Sequence, residues 1–217
     1  MVRLIITPIC CHTGRCAGNG GWYSWPIMNR HAELILHWWP PLLVAIVCIV
    51  AQALGWVDAL RFERALTGAE PWRLLSGHLV HLGWAHVGMN LAGLMLIWAL
   101  FGHALRPWGW VAAFVACGLA VGLGLYWHDT DLAWYVGLSG VLHGLLVLGA
   151  LVSLRAERRM ALFLLVGVAA KLAWEQFTGV DTGTAALVGG TVIVNAHLYG
   201  ALGGLACVPL VFFGTGR

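Results

Sequence analysis

Along the chain, long apolar runs alternate with short breaks built from Arg, Asp, Pro, Gly and Trp. Six windows stand out: Trp38–Val57, Trp84–Leu105, Trp108–Trp127, Ala133–Leu154, Met160–Phe177 and Gly190–Phe213. Each has about the length at which an apolar helix crosses a hydrocarbon layer, roughly 20 residues. Pro40 and Pro41 fall in the first turn of the first window, where a missing N–H is tolerated. Trp38, Trp39, Trp56, Trp108, Trp110, Trp127, Trp134 and Trp174 lie near window ends, as an interfacial aromatic belt requires. The pattern predicts an all-α polytopic membrane protein with six transmembrane helices. Its core covers residues 38–213, after an N-terminal segment 1–37 and before a short tail, 214–217.

Composition narrows the class. Of 217 residues 60% are apolar, 10% are charged and a single one is lysine. A water-soluble domain usually carries about 25% charged residues. A secreted disulfide scaffold and a disordered tail are excluded, and a net charge of +3 is too small and too spread out for a nucleic-acid partner. Arginine placement sets an orientation. Arg3, Arg15, Arg30, Arg106, Arg155, Arg158, Arg159 and Arg217 fall on one side, against Arg61, Arg64 and Arg73 on the other. Both termini are therefore expected in the cytoplasm. Cys10, Cys11, His12 and Cys16 match no zinc signature, so no metal and no cofactor are expected. The stretch Leu4–Ile9 is too short for a signal-peptide core, and translation is expected to start at Met28.

The first connection, Asp58–Gly83, is long for so small a chain. The Ala59/Phe62/Leu66 and Trp72/Leu75/Leu79 spacings predict short amphipathic helices in the interface, with Thr67 and Glu70 in capping-box spacing.

Polar groups inside apolar windows are costly and are functional candidates by default. Span 2 opens with His81, His86 and Asn90; span 4 carries Gly137-Leu-Ser139-Gly140 and His143; span 6 carries Ala196-His197 and Gly200. Counted as helix, Ser139 and His197 lie six or seven residues into their windows, at about 9–11 Å depth. Gly137, Gly140 and Gly144 face a second ridge of Ala196, Gly200 and Gly204, a spacing that lets helices approach closely. A neutral imidazole beside a hydroxyl is the minimum for acyl transfer, with His86, Asn90 and the Ser139 amide as oxyanion donors. With no Asp or Glu at that depth, a Ser–His dyad is expected. Lys171, near mid-span when counted from Arg159, is expected to pair with Glu175 one turn away or with a ligand.

These residues resemble the rhomboid family of intramembrane serine proteases. The resemblance rests on Trp72-Arg73, His86-x-x-x-Asn90, Gly137-x-Ser139-Gly140 and Ala196-His197-x-x-Gly200-x-x-x-Gly204, in that order. It implies a rhomboid-like bundle with a long membrane-embedded first loop, Ser139 as nucleophile, His197 as base, and His86 and Asn90 at the oxyanion. It further implies a water-filled cavity under a flexible connection, Thr178–Thr191. His143 stands where many rhomboids carry an aromatic residue that stacks on the histidine; it either stacks likewise or competes for the serine proton. The short core, Val-Gly-Leu-Ser-Gly-Val-Leu-His and Lys171-x-x-x-Glu175-Gln look similar to the rhombosortase branch. That branch implies transmembrane substrates with C-terminal Gly-Gly, helix and basic-tail anchors, cut near the outer end, with transfer to water or to an amine acceptor. The competing class is a histidine-ligated haem or metal-transport protein, since His78, His81, His86, His103, His143 and His197 lie at or within spans. It leaves Gly-Leu-Ser-Gly and Asn90 unexplained.

Overall fold

A computed structural model describes residues 15–18, 21–24, 30–181 and 183–214, with side-chain surroundings for 37–181 and 183–209. Cys10, Cys11, His12, Met28 and the end of the tail lie outside the described residues, so the start-site and metal expectations there have no structural counterpart. The chain divides into two units, Met1–His37 and Trp38–Arg217. In the first, Arg15–Gly18 pairs antiparallel with Gly21–Ser24.

Apolar runs of the required length produce six long helices among the described residues. They are α1 (Arg30–Ala53), α2 (Trp84–Phe101), α3 (Pro107–His128), α4 (Ser139–Ser153), α5 (Arg158–Thr178) and α6 (Val194–Gly214). Pro107 opens α3, where its fixed φ suits the first turn. Gly179 ends α5 in the left-handed region, a common helix stop. By length and composition, three helices are apolar enough to cross a membrane: Trp84–Ala104, Pro107–His128 and Arg158–Thr178.

The core joins α2, α3, α4 and α6 through Leu94, Trp98, Phe101, Trp110, Cys117, Leu138, Leu145, Leu148 and Cys207, all buried. Large apolar side chains also point outward. Phe163 is 78% and Phe177 91% exposed on α5, and Leu42, Leu43 and Ile46 are exposed on α1. A hydrocarbon solvent, not water, accommodates such a rim.

The connection 54–83 departs from the expected pair of amphipathic helices. Short turns at Val57–Leu60, Arg64–Thr67 and Arg73–Ser76 flank a strand, Phe62–Glu63, with Phe62 buried beneath it. The expected capping box does not form. The Thr67 hydroxyl donates back to the Glu63 carbonyl (2.7 Å), and the Glu70 carboxylate accepts from Arg73 Nε (2.5 Å). Arg64 ties the connection to the end of α3, donating to the carbonyls of Leu125, Tyr126, Asp129 and Leu132.

Candidate active site

The fourth apolar window does not begin as helix. Trp134–Tyr135 is extended and pairs antiparallel with Phe62–Glu63, so α4 starts only at Ser139. The depth of Ser139 therefore comes from an extended entry followed by a tight turn, and a helical count across this window is wrong in detail. Gly137 makes the turn. Its φ of +122° lies where side chains are disfavoured, its N–H donates to the Gly77 carbonyl (3.0 Å), and its carbonyl accepts from the Tyr135 hydroxyl (2.8 Å). A Cβ at Gly137 would meet His86 Cε1 at 2.9 Å and Nε2 at 3.0 Å, so the glycine also leaves room for that imidazole.

Helices α4 and α6 touch backbone to backbone. A Cβ on Gly200 would collide with the Gly140 carbonyl oxygen, one on Gly204 with that of Gly144, and one on Gly140 would lie 2.7 Å from the Ala196 carbonyl oxygen. This contact sets the polar pair. The Ser139 hydroxyl oxygen lies in hydrogen-bond contact with His197 Nε2 at 3.0 Å, and His197 is 3% exposed. His143 stacks on His197, with ring centroids 4.2 Å apart and 21° between planes. Its Nδ1–H donates to the Ser139 carbonyl oxygen (2.7 Å), so this imidazole both stacks on His197 and holds the backbone of the serine.

The expectation that no carboxylate reaches His197 is overturned. Glu175 Oε2 lies 2.9 Å from His197 Nδ1, Oε1 lies 3.1 Å away, and Glu175 is fully buried. Lys171 Nζ pairs with Glu175, as expected, and also sits 3.3 Å from His197 Nδ1. Counting from Arg159 hid this contact. From the opposite end of α5, Glu175 is three residues before Thr178, and His197 is three residues after Val194. The two helix ends joined by residues 179–193 thus place both groups at one level.

Ser139, His197, His86, Asn90, His143 and Lys171 line a cavity of about 590 Å³, to whose wall residues 188–193 also contribute. Leu82 N–H donates to His86 Nδ1 (3.4 Å), which leaves the ring's Nε2 as the protonated nitrogen. Asn90 is buried and its side-chain N–H group has no hydrogen-bond partner, an arrangement that is expensive unless an acceptor arrives. Gly137, Gly140 and His81 are not among the residues that line this cavity. His81 is fully buried edge-on against His86, with centroids 4.9 Å apart.

Residues 68–213 match the Rhomboid domain when the chain is compared with known families. The chain belongs to the rhomboid family. Rhomboids are generally intramembrane serine proteases acting on transmembrane protein substrates in the bilayer, and the outward apolar helices suit an integral membrane protein. No curated protein matches the sequence.

In this rhomboid Trp72 and Arg73 stand away from the cavity. Trp72 is exposed, whereas Arg73 is buried and donates to Glu70 and to the carbonyls of Asp58 (3.1 Å) and Arg61 (2.9 Å). The arginine clamps the first connection. Asp129 accepts from the Tyr199 hydroxyl (2.7 Å) and from Asn195 Nδ2, fixing the start of α6 against the end of α3. Asp181 likewise has structural partners. Its Oδ2 accepts from Thr184 N–H (2.5 Å), Thr184 Oγ1 (2.7 Å) and Ala185 N–H (3.0 Å), organising the turn Ala185–Val188. Burial pushes the Asp181 carboxyl up, but the hydrogen bonds from Thr184 and Ala185 outweigh it and hold it below its usual range. A depressed carboxyl contributes stability that is complete above the usual value of about 3.9 and is lost as pH falls from there through the depressed one. Hydrogen-exchange protection of the Thr184 and Ala185 amides should therefore persist at neutral pH and collapse only once pH has fallen through that lower value. In Asp181→Ala it should be absent at both.

Proposed function

We propose that this rhomboid is a six-span serine endopeptidase in which Ser139 is the nucleophile and His197 the general base. The observation that carries the reading is the 3.0 Å Ser139 Oγ to His197 Nε2 contact at a cavity that also holds the unpartnered Asn90 donor. His197 Nε2 takes the hydroxyl proton as Oγ bonds to the scissile carbonyl carbon. The carbonyl electrons become an oxyanion held by Asn90, by His86 Nε2–H and by the Ser139 amide. That amide begins α4 and has no helical acceptor behind it. Collapse breaks the C–N bond, and the imidazolium returns the proton to the leaving amine. Water, or an amine acceptor, then attacks the acyl-enzyme.

The arginine asymmetry supports a cytoplasmic location for both termini in a bacterial inner membrane, with the cavity open to the periplasmic side. The Lys171-x-x-x-Glu175-Gln pattern supports the rhombosortase branch and substrates with C-terminal Gly-Gly, helix and basic-tail anchors. The haem reading finds no free ligand at His197, whose Nε2 faces Ser139 and whose Nδ1 faces Glu175.

Treating membranes with a fluorophosphonate and mapping the adduct by peptide mass spectrometry tests the assignment. The expected product is a single adduct on Ser139. Modification elsewhere, or none, would overturn the reading.

A further inference from the structure

We propose that Glu175 completes a Ser139–His197–Glu175 triad as its orienting carboxylate, and that Lys171 is present to keep that carboxylate charged. Both are positioning residues, and the proposal rests on the reading of Ser139 and His197 given above.

The four reacting and orienting atoms form one chain: Ser139 Oγ, His197 Nε2, His197 Nδ1 and Glu175 Oε2, with 3.0 Å and 2.9 Å hydrogen bonds at its two ends. A neutral imidazole carries one N–H. A carboxylate against Nδ1 draws that proton there and leaves the Nε2 lone pair toward the serine hydroxyl, the tautomer that can act as base. When His197 then accepts the serine proton it becomes a cation at a position 3% exposed. The neighbouring carboxylate offsets the cost of that charge, which so little exposure leaves poorly solvated.

Lys171 answers the reverse problem. Before the serine proton moves, Glu175 is a fully buried anion with no cation on the imidazole beside it. Lys171, one helical turn earlier, supplies the balancing charge, and its partly exposed side chain reaches the cavity. Nδ1 already carries a proton, so the ammonium 3.3 Å from it is turned toward the carboxylate. The groups facing the His197 ring are Ser139 and His143 on α4, and Lys171 and Glu175 on α5. Glu175 is the sole carboxylate among these. A helix-surface staple would need neither the burial of Glu175 nor its contact with a second helix.

The test measures the fluorophosphonate inactivation rate of the full chain in proteoliposomes. In triads of this kind, neutralising the orienting acid costs about 10⁴-fold. Glu175→Gln should lower the maximal inactivation rate by at least about 100-fold, with probe affinity changed less than about threefold, and Glu175→Asp should restore part of the loss. Lys171→Met should slow the reaction by about tenfold or more. The double variant should be no slower than Glu175→Gln alone, because lysine acts only through the carboxylate. A Glu175→Gln rate within about threefold of wild type would overturn the triad while leaving Ser139 labelled. A wild-type protein unlabelled at Ser139 would overturn the nucleophile assignment and the triad with it.

Should Glu175→Gln fail to fold, the wild-type protein decides. In ¹⁵N-histidine spectra, with the His197 signal assigned by its loss in His197→Gln, protonation at Nδ1 supports the proposal. Protonation at Nε2 of the neutral ring overturns it.

Discussion

His197→Ala is expected to lower cleavage of a Gly-Gly-anchored reporter by about 10⁴-fold or more, to the same floor as Ser139→Ala. Hydroxyl and imidazole act here as one unit: among the described residues, His197 Nε2 is the base in hydrogen-bond contact with Ser139 Oγ, at 3.0 Å. Groups that work as a unit are strongly non-additive, and removing either one of a comparable pair has cost on the order of 10⁶-fold. The double variant should thus match each single one. What survives comes from the oxyanion donors, so Asn90→Ala and His86→Ala should show smaller losses, about 10²–10³-fold each. The measurement is reporter release over time from proteoliposomes, with thermal unfolding run in parallel to confirm folded protein. Retention of a tenth of wild-type turnover by His197→Ala would eliminate it as the base.

The parts of the site that depend on side-chain type at fixed spacing were legible before any coordinates. Small residues at four-residue intervals on two apolar windows implied close helices, and a serine and a histidine within those ridges implied contact. Two things were not legible. The entry to Ser139 is a strand because Phe62 offers it an edge and Gly77 an acceptor, both far earlier in the chain, and no local pattern in an apolar run reports such pairing. Glu175 was assigned to Lys171 because an i,i+4 pair is the local explanation of two opposite charges on one helix. Its second partner lies on another helix, and the signal for it was the equal distance of Glu175 and His197 from the two ends of a shared connection. Likewise, Asp129 meets Tyr199 of α6, a group brought near only by the fold, whereas the partners of Asp181 lie three and four residues along its own turn.

Gly200→Val is expected to abolish activity and to destabilise the protein by more than about 3 kcal/mol, even though Gly200 touches no reacting atom. Overpacking a core usually costs about 1–3 kcal/mol because neighbouring side chains can shift. Here the obstacle is the carbonyl oxygen of Gly140, a backbone atom bound within α4, and a Cβ would overlap it outright. Relief requires α4 and α6 to separate. Gly204 meets Gly144 one turn further along, so the whole seam opens and does not hinge locally. The seam also holds Ser139 and His197 at their contact distance, and about 1 Å of misplacement in such a pair costs roughly 100-fold. Gly200→Ala, which adds only the colliding atom, should already lose at least that much in fluorophosphonate reactivity. Gly167→Ala on α5 is the matched control. A Cβ there meets nothing within 4 Å, and alanine is the better helix former, so stability should hold or rise with activity unchanged. If Gly200→Ala reacted at the wild-type rate, helix proximity would not be what aligns the pair, and the meaning of the glycine ridges would have to be sought in packing alone.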